Sequence, residues 1–160
     1  MMCLEYTFLE SPIGQILLAG KDEVLHFLGL PSGKMHLKPK SDWHHNPSMF
    51  KDARLQLDAY FAGQLTQFDL LLAPSGTEFQ MQVLGALQKI PFGQTCSYKD
   101  IAQSIDRPKA VRAVGAANAR NPIPLIIPCH RVVGADGSLT GFGGGVEAKA
   151  FLLRLEGIVN

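Results

Sequence analysis

Short apolar segments alternate with turn residues over the start of the chain. Three of these segments are rich in leucine, β-branched or aromatic residues, and they span 6–9, 15–19 and 24–30. Proline, glycine and aspartate at 12–14 and 20–22 separate them with residues typical of tight turns. The pattern predicts an antiparallel meander of three strands.

Apolar residues next recur at helical spacing over 48–62, which predicts a helix. A further strand is predicted over the apolar stretch 68–72. The polar segment 31–47 contains histidines whose spacing fits no metal-binding pattern, so we expect a surface loop there.

The pattern becomes helical after 74–76, where Pro, Ser and Gly interrupt the chain. We therefore expect an N-terminal α/β domain over 1–74 and a helical C-terminal domain over 75–160. Two capping boxes, Thr77-x-x-Gln80 and Ser97-x-x-Asp100, each precede apolar residues at helical spacing and predict where helices begin.

Two more helices are predicted further along, a third one over 109–118 and a closing one over 148–155. The second and third helices are short and joined by a tight turn, which is typical of a helix-turn-helix. Helical hairpins also serve purely structural roles, so this pattern alone leaves DNA binding open.

The predicted third helix carries small side chains on one face. Helical spacing directs Val111, Val114 and Asn118 inward. The opposite face consists of small or cationic residues, namely Ala113, Ala116, Ala117 and Arg120, with Arg112 and Gly115 beside them. A helix about 10–12 Å across enters a minor groove about 6 Å wide only with a small face and a widened groove. Close packing on another helix would use the same residues, so both interpretations stay open.

Charge and cysteine content narrow the class of protein. The 160 residues carry a formal net charge of +1, but five basic and no acidic residues fall between Arg107 and Arg131, which is compatible with phosphate contact. Three cysteines without a C-x-x-C spacing indicate a reducing compartment. No signal peptide or membrane-length apolar run is recognised, so we expect a cytoplasmic protein, or a nuclear one in a eukaryote.

The main candidate for chemistry is Cys129, which follows the apolar run 125–127 and Pro128. The proline removes a backbone donor and fixes its own φ, so regular structure should stop or bend there. A thiol, an imidazole and a guanidinium follow one another at Cys129, His130 and Arg131, and could supply a nucleophile, a base and a cation. A structural cysteine beside a solvated histidine is the alternative interpretation.

A carboxylate and a glycine-rich stretch close the chain. Glu156 falls at the end of the predicted closing helix, where it opposes the helix dipole, so it should have a specific partner, and His130 is the candidate. The stretch 140–145 lacks the Walker lysine and the G-x-G-x-x-G spacing, so we do not expect a nucleotide site.

Several of these stretches occur together in one known family. They are Arg112-Ala113-Val114-Gly115, Asn121-Pro122, Ile127-Pro128-Cys129-His130-Arg131-Val132, and the glycine-rich loop with Glu156-Gly157. With them the chain resembles the O6-alkylguanine-DNA alkyltransferases, which are DNA repair methyltransferases. The resemblance is strong over 79–157 and looser before. It implies an N-terminal α/β domain with a ribonuclease H-like sheet and an α-helical, winged-helix-like DNA-binding domain.

The resemblance implies roles for five residues of the acceptor site. Cys129 would accept the alkyl group, His130 would be its water-bridged base, and Glu156 would orient the histidine. Tyr98 matches the tyrosine beside the flipped base. Asn121 matches the hinge asparagine that ties the acceptor turn to the helix-turn-helix.

The resemblance also implies how DNA and the damaged base are held. Arg112 would fill the base stack after flipping, and the small-faced helix would contact DNA. Backbone carbonyls of Cys129 and Val132 would read the exocyclic amine of the base, and Phe142 and Gly143 would line the pocket. Phe142 departs from the tyrosine of many members, so no hydroxyl is available there to donate to O6.

The implied reaction transfers the alkyl group of O6-alkylguanine, and of O4-alkylthymine, irreversibly to Cys129 after base flipping through the minor groove. The protein would act once, as a monomer on double-stranded DNA that contains the damaged base, without a cofactor and away from membranes. Some relatives bind zinc in the N-terminal domain, but with only Cys3 and scattered histidines there we expect no metal site.

Three other functions compete with this one. A non-catalytic sensor of alkylated DNA would replace the acceptor cysteine, so Cys129 argues against it. A helix-turn-helix regulator would need base-reading side chains on the third helix. A cysteine hydrolase would need deacylation machinery, which the sequence does not reveal.

Overall fold

The computed structural model of the chain describes residues 3–139 and 145–158. Its strands at the N-terminal end are β1 Glu5–Ser11, β2 Gly14–Lys21, β3 Val24–Gly29 and β4 His44–His45. They form one sheet in the order β3-β2-β1-β4. The first three strands are the predicted antiparallel meander, and the two-residue β4, which the apolar pattern does not reveal, pairs in parallel with β1.

The register of β1 and β2 sends alternate side chains to opposite faces of the sheet. Leu9 pairs with Ile16, and both face the main core. Leu17 and Ala19 face a smaller cluster around Trp43 on the other side. Because both of its faces are covered, β2 is an apolar run in sequence rather than an alternation.

Helix α1, Lys51–Phe61, packs on the core face of the sheet through Ala53, Leu57 and Tyr60. It begins later than the predicted 48–62. The reason is Phe50, which is buried and has a left-handed φ of 60°, so the helix cannot extend through it.

The predicted strand at 68–72 is wrong. Only Leu72 makes a bridge, a parallel one to Leu25. The backbone of Asp69 instead pairs with the side chain of Gln56, which donates to its carbonyl at 3.0 Å and accepts from its amide at 2.8 Å. A side chain thus satisfies the backbone groups that a strand ladder would have used.

The C-terminal part is mainly helical, as predicted. Its helices are α2 Glu78–Leu87, α3 Tyr98–Ser104, α4 Val111–Ala119 and α5 Val146–Leu155. Both predicted capping boxes are present at the starts of α2 and α3. A parallel pair of two-residue strands, β5 Cys96–Ser97 and β6 Val132–Val133, joins the entry of α3 to the segment after Cys129.

Helix α4 corrects two predicted orientations. Val114 and Asn118 are fully buried, as predicted, but Val111 is 37% exposed because it lies in the first turn of the helix. Ala117, predicted on the outer face, is buried at 5% exposure in the main core. The small outer face is therefore narrower than the sequence pattern indicates.

One hydrophobic core runs through both parts of the chain, from the sheet and α1 to α2, α4 and α5. The backbone amide of Leu28 in β3 donates to the carbonyl of Pro122 at 2.9 Å, so the sheet also touches the loop after α4. In the part of the chain that the structure describes, no helix is long and apolar enough to cross a membrane.

Candidate active site and DNA-binding helix

Cys129 opens a single turn of 3-10 helix, Cys129–Arg131, and its side chain is fully buried. Regular structure therefore bends after Pro128, as predicted. The approach to this turn includes Leu125, a buried non-glycine residue with a φ of 72°. Such left-handed backbone is unfavourable and is found where the surroundings enforce a functional geometry.

Two asparagines connect this turn to helix α4. Nδ2 of Asn121 donates to the carbonyl of Ile127 at 2.8 Å, and its Oδ1 accepts from the amide of Ile123 at 3.0 Å. The Asn121 side chain also acts to lower the pKa of the Cys129 thiol. Nδ2 of Asn118 donates to the carbonyl of Cys129 at 3.3 Å. The turn that carries Cys129 and helix α4 are thus physically joined.

His130 and Glu156 form the contact that the sequence predicted. Nε2 of His130 lies 2.6 Å from Oε2 of Glu156, and both side chains are fully excluded from solvent. An ionised carboxylate can only accept, so Nε2 carries the proton and Nδ1 presents a lone pair. Within residues 3–139 and 145–158, Nδ1 has no hydrogen-bond partner, so it is available to take a proton.

Glu156 is held by other donors besides the histidine. Arg131 donates to it twice, from Nε to Oε1 at 2.7 Å and from Nη2 to Oε2 at 3.2 Å. The amide of Gly93 donates to Oε1 at 3.2 Å, and the hydroxyl of Tyr60 to Oε2 at 2.6 Å. These donors fix the carboxylate in position and offset the cost of burying its charge.

The protonation states follow from these contacts. Burial alone would raise the pKa of Glu156, but hydrogen bonds from His130 and Arg131 lower it to about 2, so it is ionised at neutral pH. Burial lowers the pKa of His130 below 6.5, and this outweighs the effect of Glu156. Burial also raises the pKa of Cys129 to about 11. The resting site therefore holds a thiol and a neutral imidazole.

Lys149 is a buried cation that the sequence analysis did not single out. It lies on α5 at 0% exposure, and its Nζ donates to the carbonyl of Val132. Burial lowers its pKa to about 8, while the charge of Cys129 acts in the opposite sense. The same charge coupling lowers the pKa of Cys129, so Lys149 favours a thiolate.

Tyr98, the first residue of α3, packs against α4. Its ring carbons are the atoms nearest to a side chain that would be built at Gly115, at 3.9 Å. Burial raises the pKa of its hydroxyl, and so does the charge of Cys129. The ring of Tyr98 therefore lies against α4, and its hydroxyl is close enough to Cys129 for a charge there to affect it.

The outer face of α4 carries the residues expected to contact DNA. Arg112, Ala113, Ala116 and Arg120 are exposed. Ala117 is not, so it cannot touch DNA in this conformation. The remaining exposed face is small, with one cation near each end of the helix.

The carbonyls expected to read a base have partners of their own. That of Cys129 accepts from Asn118, and that of Val132 from Lys149. The carbonyl of Cys129 also accepts from the backbone amide of Val132, so both of its lone pairs are used and one donor has to be released before it can read a base. Phe142 and Gly143, the other expected pocket residues, lie outside the described residues.

Tyr60, Gly93 and Lys149 join the site without having been singled out from sequence. Lys149 shares one face of α5 with Glu156, seven positions later, and a lysine on an otherwise apolar face was the available signal. Tyr60 gave none, since aromatic residues at helical spacing predict core. Among the described residues, no cluster of His, Cys, Asp or Glu could hold a metal ion.

Both parts of the chain match known protein families. Residues 4–74 match the "6-O-methylguanine DNA methyltransferase, ribonuclease-like domain". Residues 78–158 match the "6-O-methylguanine DNA methyltransferase, DNA binding domain". The fold expected from the resemblance, a ribonuclease-like part followed by a helical DNA-binding part, is therefore confirmed.

Individual relatives are similar to this chain in sequence and structure over nearly its whole length. The methylated-DNA–protein-cysteine methyltransferase of Methanosarcina acetivorans is 53% identical, with 95% of this chain and 97% of the relative covered. The methyltransferase of the same name from Mycolicibacterium paratuberculosis is 50% identical, with 96% of this chain and 92% of the relative covered. The crystal structure of Mycobacterium tuberculosis OGT in complex with DNA superposes with a TM-score of 0.90 at 49% identity, covering 95% of this chain and 92% of that one. This chain belongs to the 6-O-methylguanine DNA methyltransferase family.

Proposed function

We propose that this protein is a methylated-DNA–protein-cysteine methyltransferase that moves the alkyl group of O6-alkylguanine in double-stranded DNA to Cys129. The observation that carries the proposal is the buried Cys129 next to a histidine whose Nε2 is fixed on Glu156. O4-alkylthymine presents an alkyl–oxygen bond of the same kind and is a second substrate.

The chemistry is a direct displacement at carbon. The sulfur of Cys129 attacks the alkyl carbon, a carbon–sulfur bond forms, and the bond from that carbon to O6 breaks with its electron pair going to guanine. A thiolate is the nucleophile, and because burial raises the pKa of Cys129, a base must take the thiol proton during the attack.

His130 is that base, and its Nδ1 receives the proton directly or through a water. The imidazolium that results is stabilised by Glu156, since Nε2–H already lies against the carboxylate. The departing guanine needs a proton, and the hydroxyl of Tyr98, whose pKa responds to a charge on Cys129, is the group that helps to supply it.

Access to the buried thiol requires the nucleotide to leave the duplex. Flipping a base costs a few kcal/mol, and less for an alkylated base because it pairs poorly. The small face of α4 suits a widened minor groove, with Arg112 filling the vacated position in the stack. Alanines make few base-specific contacts, so binding depends mainly on the DNA backbone and varies little with sequence.

The reaction runs once per molecule. Its product is a thioether, which lacks the hydrolytic route open to a thioester, so the acceptor is not regenerated. One chain, acting as a monomer, is then consumed for each alkyl group removed.

The test uses duplex DNA with one O6-guanine carrying a labelled methyl group, in excess over the protein. We expect label to saturate near one methyl per chain and to map to Cys129 by mass spectrometry. The variant Cys129→Ser should take up none and still bind the duplex. Sustained turnover with excess DNA, or label on another residue, would contradict the proposal.

A further inference from the structure

Helix α1 of the ribonuclease-like part reaches the acceptor site through one side chain. Tyr60 lies on the buried face of α1 at 1% exposure, and its hydroxyl donates to Oε2 of Glu156 at 2.6 Å. Its ring packs against Phe68 and Phe92, with centroids 5.3 and 6.3 Å away. The contact joins residues 96 positions apart.

The hydroxyl is the unusual feature at this position. Phenylalanine would fill the same apolar space, and a buried hydroxyl is tolerated only with a partner. Its partner is the oxygen that also holds Nε2 of His130. Glu156 would still keep Arg131 and the amide of Gly93 as donors without Tyr60, so holding the carboxylate does not by itself require the hydroxyl.

We propose that Tyr60 is a positioning residue for alkyl transfer, through which the N-terminal part of the chain sets the orientation and charge of Glu156 and thereby the basicity of His130. This inference rests on the proposed function for its kinetic consequence. Its electrostatic consequence can be measured on the protein alone.

The direction of the effect follows from the shared oxygen. A donor on Oε2 draws negative charge toward itself, so less remains to stabilise a protonated His130. Tyr60 keeps its proton at any physiological pH, because burial and the adjacent charge of Glu156 raise its pKa. The hydroxyl therefore helps to keep His130 neutral and able to accept the thiol proton.

Other charged groups around His130 also influence its pKa. Arg131 and Lys149 disfavour its protonation, Glu156 favours it, and burial is the largest influence. Cys129 precedes it on the same turn. None of these groups is altered when only the Tyr60 hydroxyl is removed, so a change in His130 reports on that hydroxyl.

The experiment compares Tyr60→Phe with the native protein and with Tyr6→Phe, which removes a hydroxyl from the half-buried Tyr6 in β1. The pKa of His130 is followed by 15N NMR of its imidazole. The single-turnover rate of transfer from a methylated duplex is measured from pH 5 to 9. Melting temperature and duplex affinity, the latter in a Cys129→Ser background, are recorded for each variant.

For Tyr60→Phe we expect the His130 pKa and the acidic limb of the rate profile to move up together by roughly half to one pH unit. On the acidic limb, where the rate follows the neutral fraction of His130, the rate should fall about threefold to tenfold, and at pH 7 by at most about threefold. Duplex affinity should stay unchanged within about twofold. Tyr6→Phe should match the native protein. A lower melting temperature with an unmoved His130 pKa would show that Tyr60 is only structural and would overturn the inference.

A second substitution tests the same inference if Tyr60→Phe does not fold. Incorporating 3-fluorotyrosine at position 60 keeps the ring and makes the hydroxyl a stronger donor, so His130 should titrate at lower pH, opposite to Tyr60→Phe. A shift in the same direction for both, or none, would also overturn the inference. Native protein that takes up no alkyl group would instead contradict the proposed function, while the NMR titration would still decide the role of Tyr60.

Discussion

Nε2 of His130 and Oε2 of Glu156 lie 2.6 Å apart with both side chains at 0% exposure, although 26 positions separate them in sequence. The end of α5 is thereby fixed to the turn that carries Cys129. Because Arg131, Tyr60 and the amide of Gly93 donate to the same carboxylate, the contact gathers donors from four residues around one buried charge. Its loss should affect both stability and chemistry.

The first prediction is that Glu156→Gln lowers stability by roughly 3 kcal/mol and slows transfer. Arg131 would be left buried without its counter-ion, which is costly. The amide could also donate to Nε2 of His130, so the proton would be free to occupy Nδ1, the wrong nitrogen for a base. Urea unfolding and single-turnover transfer measure the two effects. Glu147→Gln, in the exposed first turn of α5, is the matched control and should behave like the native protein.

The second prediction concerns acid stability. The pKa of Glu156 is about 2 in the folded protein and about 4.5 unfolded, so its contribution is present above pH 4.5 and is lost as pH falls toward 2. The lowered pKa of His130 makes stability fall as pH drops below 6.5 as well. Urea unfolding at pH 7, 5.5, 4 and 3 should show a decline that Glu156→Gln lacks below pH 4.5. Parallel curves for the two proteins there would contradict the assigned pKa.

Local signals in the sequence predicted much of the fold. The turns at 12–14 and 20–22 delimit the meander, and Thr77 and Ser97 begin helices because a capping box uses only neighbouring backbone and side-chain groups. The strand predicted at 68–72 failed because the decisive partner, Gln56, belongs to another element.

In the acceptor site, too, local sequence revealed some residues, while others depend on how distant segments pack. Cys129 and His130 are adjacent in sequence, so the motif marked them as candidates, and the helix-end position of Glu156 pointed to a partner. Tyr60 could not be predicted, since its hydroxyl meets Glu156 only after the two parts of the chain pack together. The burial of Lys149 and Ala117 likewise depends on how α4 and α5 dock on the core, which helical periodicity does not specify.

The third prediction tests Arg112 as the residue that fills the base stack. Arg112→Ala should slow transfer from a duplex by about tenfold to a hundredfold, because an unfilled stack leaves the few kcal/mol of flipping uncompensated. Transfer from free O6-benzylguanine needs no flipping and should change by less than about twofold. Arg154→Ala, an exposed arginine on α5, is the control. Equal losses on both substrates would reject this role.

The fourth prediction concerns Lys149. Lys149→Met should slow transfer to Cys129 from free O6-benzylguanine about tenfold at pH 7, since a nearby cation stabilises the developing thiolate. The pKa of Lys149 is about 8, so the lysine is charged below pH 8. The native protein should therefore transfer faster than the variant below pH 8, and this difference in rate should disappear as the pH rises through 8. Lys99→Met, exposed on α3, should leave the rate unchanged. A ratio of native to variant rates that stays constant from pH 6 to 9 would exclude this electrostatic role.

The last prediction is that methylated protein is less stable and binds DNA less tightly. Cys129 is fully buried, the Asn121 side chain influences its thiol, and its carbonyl is held by Asn118 of α4. Dense packing means that an added methyl group is felt, at a typical cost of about 1–3 kcal/mol. The methyl group should press on Asn121, which holds the backbone of Ile123 and Ile127. Only the short segment between Asn121 and Cys129 separates that strain from the DNA-binding helix.

We therefore expect the methylated form to melt several degrees lower, to exchange amide hydrogens faster over 109–131, and to lose duplex affinity. Mass spectrometry should confirm one methyl group on Cys129 and none on the exposed Cys3. The variant Cys129→Ser, exposed to the same methylated duplex, should show no change. An equal or higher melting temperature for fully methylated protein would mean that the pocket accommodates the product, and alkylation would then leave α4 undisturbed.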